Sequence, residues 1–148
     1  MEIQHKIQLQ LQSTSSNCVQ TSTSQFLDFY GIDQTPDSIE AAVPVRINAE
    51  GKPIGTLFAD IGTWLKKTQE LAVTMHVFDT QIIDRSWVSL SQEQLLDEVV
   101  SMHKNGVSTA LTPYAPQLID AYTSFMQSGG VVSIAKCTNE LLQTLLEK

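Results

Sequence analysis

Residues 3–30 run from a strand-like segment through a polar turn into a helix, and this junction constrains the fold more than any other stretch of the chain. Ile3, Ile7, Leu9 and Leu11 alternate with polar residues, the period of a half-buried strand. Ser13 to Asn17 is a cluster of residues that favour turns and helix N-caps, so a helix is expected from Cys18 to Tyr30. Gly31 then supplies a C-cap. The join sets Cys18 in a first helical turn, where unpaired N–H groups and the positive end of the macrodipole favour thiolate over thiol.

Gln12 lies six positions before Cys18, at the expected end of the strand. From there its side-chain amide can donate to a developing oxyanion together with the Cys18 backbone N–H, an arrangement suited to acyl transfer. The alternative is structural: Cys18 as a small buried hydrophobe opposite Val19, Phe26 and Leu27, with Gln12 a solvent-facing strand residue.

Gln12, five residues, Cys18, and a helix ending in Phe29-Tyr30-Gly31 together resemble the opening of the papain-like cysteine peptidases. The resemblance is closest to the bacteriocin-processing type, which cleaves leader peptides after a double glycine. It implies Cys18 as nucleophile and Gln12 as part of the oxyanion hole. The family carries Gly after its Cys, where this chain has Val19. Thr35-Pro36-Asp37-Ser38-Ile39 and the stretch from Gly51 to Thr68 look like the family's second and third helices, and Val73 to Val77 like the strand that follows. The resemblance implies an α+β fold, the helical lobe of a papain-like peptidase with a few short strands.

The same resemblance requires a histidine base, which the family carries on a later strand. Gly129 to Ile134 and Thr138 to Lys148 look like the strand and helix that precede the family's second lobe. The expectation is therefore one peptidase-like domain over 1–148, incomplete at its C-terminus, with the His-bearing lobe missing. Of the three histidines, His5 falls on the polar side of the first strand and His103 in the last turn of a helix. His76 follows the Cys in chain order, and is the in-chain candidate for the base with Asp79 or Asp84 as orienter. The other source of a base is a second segment or chain.

Composition narrows the classes. A chain of 148 residues with 42% hydrophobic residues can bury a real core. A formal charge of −7 argues against nucleic acid or an anionic membrane surface as the main partner and is compatible with basic peptides without demanding them; a peptide or protein substrate is what the resemblance implies. The start Met1-Glu2-Ile3-Gln4-His5-Lys6 lacks a signal peptide's basic n-region and apolar core, so a cytoplasmic location is expected, with Cys18 and Cys137 reduced. No cofactor is implied, and no Cys/His cluster has zinc spacing. Two further readings stay open: a catalytically inactive peptide-binding module of the same fold, and a plain helical interaction protein.

Further along, Val43 to Gly55 is expected to be a loop and Thr56 to cap a helix whose apolar stripe is Leu57, Phe58, Ile61, Trp64 and Leu65. Ser91 and Gln94 have capping-box spacing ahead of a helix ending near Asn105. Pro116 opens another helix running to Gly129-Gly130, and Val131 to Ala135 is expected as a short buried strand.

Overall fold

A computed structural model describes residues 10–12, 17–43, 45–48, 50–77, 82–105, 114–136 and 138–146, with the side chains of 54, 103–105 and 146 outside that description. Among the described residues the chain is α+β, with helices in the majority. The contacts gather into two compact units, Met1–Phe58 and Ala59–Lys148.

The first unit contains α1 (Cys18–Phe29), α2 (Pro36–Ala42), β1 (Arg46–Ile47) and β2 (Pro53–Gly55). Helix α1 ends as expected at Gly31, whose φ of 75° only glycine adopts without strain. The Gly31 N–H donates to the Asp28 carbonyl and the Ile32 N–H to the Leu27 carbonyl, both at 2.9 Å, the bond pair of a Schellman motif. The Thr35 hydroxyl accepts the Ser38 N–H at 3.1 Å and Pro36 occupies the first turn, so α2 starts where the sequence places it.

The expected loop from Val43 to Gly55 instead carries an antiparallel hairpin, with Arg46 opposite Gly55 and Ile47 opposite Pro53. Asn48 makes the turn, its Oδ1 accepting the Glu50 N–H at 3.0 Å and the Lys52 N–H at 2.8 Å. An Asn side chain that satisfies two turn amides allows a hairpin in a stretch whose Gly and Pro content reads as coil.

Helix α3 (Phe58–Thr68) opens the second unit apart from its first residue. It is followed by β3 (Thr74–Val77), a 3-10 turn (Arg85–Ser89), α4 (Gln92–Asn105), α5 (Ala115–Gln127), β4 (Val131–Ile134) and α6 (Asn139–Leu146). Strands β3 and β4 pair in parallel, Thr74 with Val131 through Val77 with Ile134, and the long connection between them carries α4 and α5. The capping box forms reciprocally: the Gln94 N–H donates to Ser91 Oγ at 3.2 Å and the Ser91 N–H to Gln94 Oε1 at 2.9 Å.

Gln92, the first residue of α4, closes β4. Its Nε2 donates to the Val132 carbonyl at 2.7 Å and its Oε1 accepts the Val132 N–H at 2.9 Å, so one side-chain amide satisfies a strand residue that would otherwise present an edge. The expected burial of this strand is half right, since Val132 and Ile134 are buried and Val131 is exposed.

The core of the second unit centres on Phe125, fully buried with Leu95, Val99, Ile119 and Val132. A Cβ added at Gly62 would lie 2.7 Å from Phe125 Cε2, and one added at Gly130 would meet the same ring edge more closely still. Two bare backbones therefore receive one ring.

Gly130→Ala is expected to destabilise the fold by about 2 kcal/mol through overpacking, read from urea denaturation. In a Phe125→Leu background, which leaves room for the methyl, the same substitution should cost less. Equal costs in both backgrounds would show that the ring contact is not the cause.

Asp84, the N-cap of the 3-10 turn, has its carboxyl held below the ordinary 3.8, first by the Ser86 N–H, which donates to Oδ1 at 2.7 Å, and then by the Ser86 side chain. A depressed folded value makes its contribution complete above the unfolded pKa and lost as pH falls through the folded one. Carboxyl-carbon NMR should therefore show Asp84 titrating below 3.8, and Ser86→Pro, which removes the N–H, should move it upward.

Candidate functional site

Helix α1 begins at Cys18, with Asn17 as its N-cap residue through the backbone and not the side chain. The Asn17 carbonyl accepts from the Thr21 N–H at 2.9 Å and from the Thr21 hydroxyl at 3.0 Å. Ser22 and Thr23 repeat the pattern, donating to the carbonyls of Cys18 at 2.9 Å and Val19 at 2.8 Å. These bonds to the carbonyl four residues back let a run of hydroxyl residues stay helical, because each satisfies its hydroxyl on its own helix.

The buried side of α1 is largely polar. Gln20, Thr21, Thr23, Ser24 and Leu27 are buried, whereas Phe26 and Phe29 are exposed and pack on Tyr30, with ring centroids 4.9 and 5.1 Å away. The helix docks by hydrogen bonds more than by hydrocarbon. Gln20 Nε2 donates to the Thr56 hydroxyl at 2.6 Å, so Thr56, expected to cap α3, serves as an acceptor for α1. Ser24 Oγ lies 2.6 Å from the Gln34 carbonyl oxygen and 2.9 Å from Gln10 Oε1. One hydroxyl carries one proton, so Ser24 donates to one of these two oxygens at a time, and the shorter contact is with the Gln34 carbonyl.

This face decides the setting of the thiol. Cys18 is exposed and free, which removes the reading of it as a buried hydrophobe. It lines an open cleft of about 510 Å³ together with Gln10, Gln12, Thr21, Ser22 and Gln25. Cys18, Thr21, Ser22 and Gln25 are the i, i+3, i+4 and i+7 positions of one helical stripe and form one wall; the segment from Gln10 to Gln12 forms the other. Gln25 Nε2 donates to the Gln10 carbonyl at 3.2 Å, tying the two walls together. The described lining is uncharged, so the helix N-terminus supplies its principal fixed dipole.

Cys18 and Gln12 are thus brought to one concavity. Gln12 is exposed and belongs to an irregular stretch, because residues 10–12 are not strand; the rest of the expected first strand, with His5, lies outside the described residues. His76 belongs to the other compact unit, exposed on β3 between half-buried Met75 and buried Val77. Of its two candidate orienters, Asp84 is bonded to Ser86, and Asp79 lies outside the described residues, as does Cys137. The His103 side chain lies outside them too, on the last turns of α4.

Ser24, Gln25 and Gln10 escape a reading of the sequence that looks only for nucleophile and base. For Gln25 the signal is the polar stripe on α1, which continues from Cys18 through Thr21 and Ser22 for two turns without an apolar residue; Ser24 and Gln10 lie off it and carry no such signal. Among the described residues, no group of three or more His, Cys, Asp or Glu side chains is placed to hold a metal ion, and no helix is long and apolar enough to cross a membrane.

No family model, curated protein or solved structure matches this chain.

Proposed function

We propose that the chain is a cysteine peptidase-like domain of papain-like type, with Cys18 as nucleophile and Gln12 as an oxyanion donor acting on a peptide bond. One observation carries this reading: an exposed thiol at the start of α1 shares a cleft with Gln12 inside a single compact unit. The Gln12 amide with the Cys18 N–H offers two donors to the oxygen on which charge develops.

In the proposed reaction the thiolate attacks the scissile carbonyl carbon, forming the C–S bond and moving the carbonyl π pair onto oxygen. Collapse of that oxyanion breaks the C–N bond, and the departing amine takes a proton from a histidinium. Water, deprotonated by the same histidine, then cleaves the thioester to acid and thiol. The histidine comes from a second segment or chain. The resemblance to the bacteriocin-processing peptidases favours an extended leader-like peptide as substrate, and a reducing cytoplasm would keep Cys18 in the form the reaction needs.

A second reading is favoured by the fact that the described lining of the cleft contains no histidine: a peptide-binding module that grips its ligand without cutting it. Cys18→Ala decides between the two. If the chain is a peptidase, hydrolysis of an unstructured peptide mixture disappears in the variant, and Gln12→Ala lowers kcat by about a hundredfold. If it is a binding module, neither substitution changes the peptide mixture. Alkylation by iodoacetamide should be at least about tenfold faster at Cys18 than at Cys137. Equal slow rates would remove the activated nucleophile and the peptidase reading with it.

A further inference from the structure

We propose that the aromatic end of α1, with the carboxylates beside it, is a subsite for a cationic side chain of a peptide that lies along the helix from the thiol cleft. The subsite stands on its own chemistry, whereas its link to Cys18 rests on the acyl-transfer reading.

Phe26, Phe29 and Tyr30 are 46%, 40% and 63% exposed. The two phenylalanine rings meet Tyr30 at interplanar angles of 55° and 88°, so the three form one cluster that leaves ring surface to solvent. Exposed rings gathered in this way mark a contact surface more than scattered ones do. Charge selects what they contact. Asp28 and Asp33, both exposed, stand within three residues of Tyr30, and from Ile7 to Val45 the chain carries four carboxylates, Asp28, Asp33, Asp37 and Glu40, with no Lys, Arg or His. An apolar ligand gains nothing from those carboxylates. A lysine or arginine gains from both kinds of group, because a ring face presents the negative part of its quadrupole and the carboxylates add full charge. Arginine suits the cluster best, since its planar guanidinium can stack on a ring.

The cluster continues the cleft. At about 100° per residue, Phe29 lies within about 20° of Cys18 around the helix axis, and Ser22 and Gln25, which line the cleft, stand between them on the same face. The rise from Cys18 to Phe29 is about 16 Å along α1. An extended peptide covers that span in about five residues. A peptide with a carbonyl at Cys18 that follows this face therefore brings a side chain about five residues away onto the rings.

The test uses the full chain and an eleven-residue peptide of alanine and glutamine with arginine at its centre, which reaches the thiol in either direction. Titrated to millimolar concentration against the isotope-labelled protein, it should shift the NMR signals of residues 26–33. Replacing the arginine by citrulline, which keeps the planar shape and removes the charge, should weaken binding about tenfold, and norleucine should do the same. Phe26→Leu with Tyr30→Leu, and separately Asp28→Asn with Asp33→Asn, should each cut that preference to less than about twofold; these side chains are exposed, and an unchanged urea midpoint would show that the fold is intact. Equal affinity for the three peptides, tighter binding of the norleucine peptide, or no shifts with the arginine peptide would each overturn the subsite.

The link to the thiol has its own readout. The eleven-residue peptide should slow alkylation of Cys18 by iodoacetamide at least about threefold, whereas a three-residue peptide with the same central arginine, too short to span about 16 Å, should leave the rate unchanged. Equal protection by both, or by neither, would overturn the link while the arginine preference still decides the subsite. Failure of the acyl-transfer reading shows separately, as hydrolysis that does not depend on Cys18.

Discussion

The polar docking of α1 is the constraint on which the candidate site depends. A helix that buries Gln20, Thr21, Thr23 and Ser24 has given up much of the hydrocarbon burial that orients most amphipathic helices, and must be placed by directional bonds instead. Gln20 to Thr56 and Ser24 to the Gln34 carbonyl, each at 2.6 Å, set the rotation of α1. That rotation leaves Cys18 and Ser22 exposed at the cleft. Had Phe26 and Phe29 faced inward, the thiol would have turned with them.

Such docking is specific because it is unforgiving. A buried amide or hydroxyl that loses its partner costs about 1–3 kcal/mol, whereas an apolar side chain can slide within a core and lose little. Gln20 is itself an instance of the strain this brings: its Nε2 is bonded while its Oε1, fully buried, has no partner among the described residues. The second unit follows the opposite logic. Phe125 takes its place because Gly62 and Gly130 leave space for a ring, and the parallel pair β3 and β4 is completed by one Gln92 side chain. Shape governs there and hydrogen-bond matching governs around α1.

Much of the secondary structure was legible in the chain because its signals are local. Gly31 ends α1, Thr35-Pro36 starts α2, and Ser91 with Gln94 starts α4, each by bonds spanning a few residues. The hairpin at Asn48 was not legible, since Gly51 and Pro53 read as coil until the Asn48 carboxamide is seen to bind two amides. Thr56 was misassigned for a related reason: a Thr ahead of an apolar stripe resembles a cap, but a buried amide 36 positions earlier in the chain claims its hydroxyl.

Of the site, the order of Gln12, polar turn and Cys18 at a helix start could be read from the residues alone, because capping preferences and the helix dipole operate within one or two turns. Whether the sulfur meets solvent could not. Phe26 and Leu27 are adjacent apolar residues of one helix, yet tertiary packing buried Leu27 and left Phe26 46% exposed. Only the folded chain could bring Gln34, Thr56 and Gln10 to α1 from separate segments, and those long-range bonds, invisible to any local rule, decided which face of the helix became the cleft.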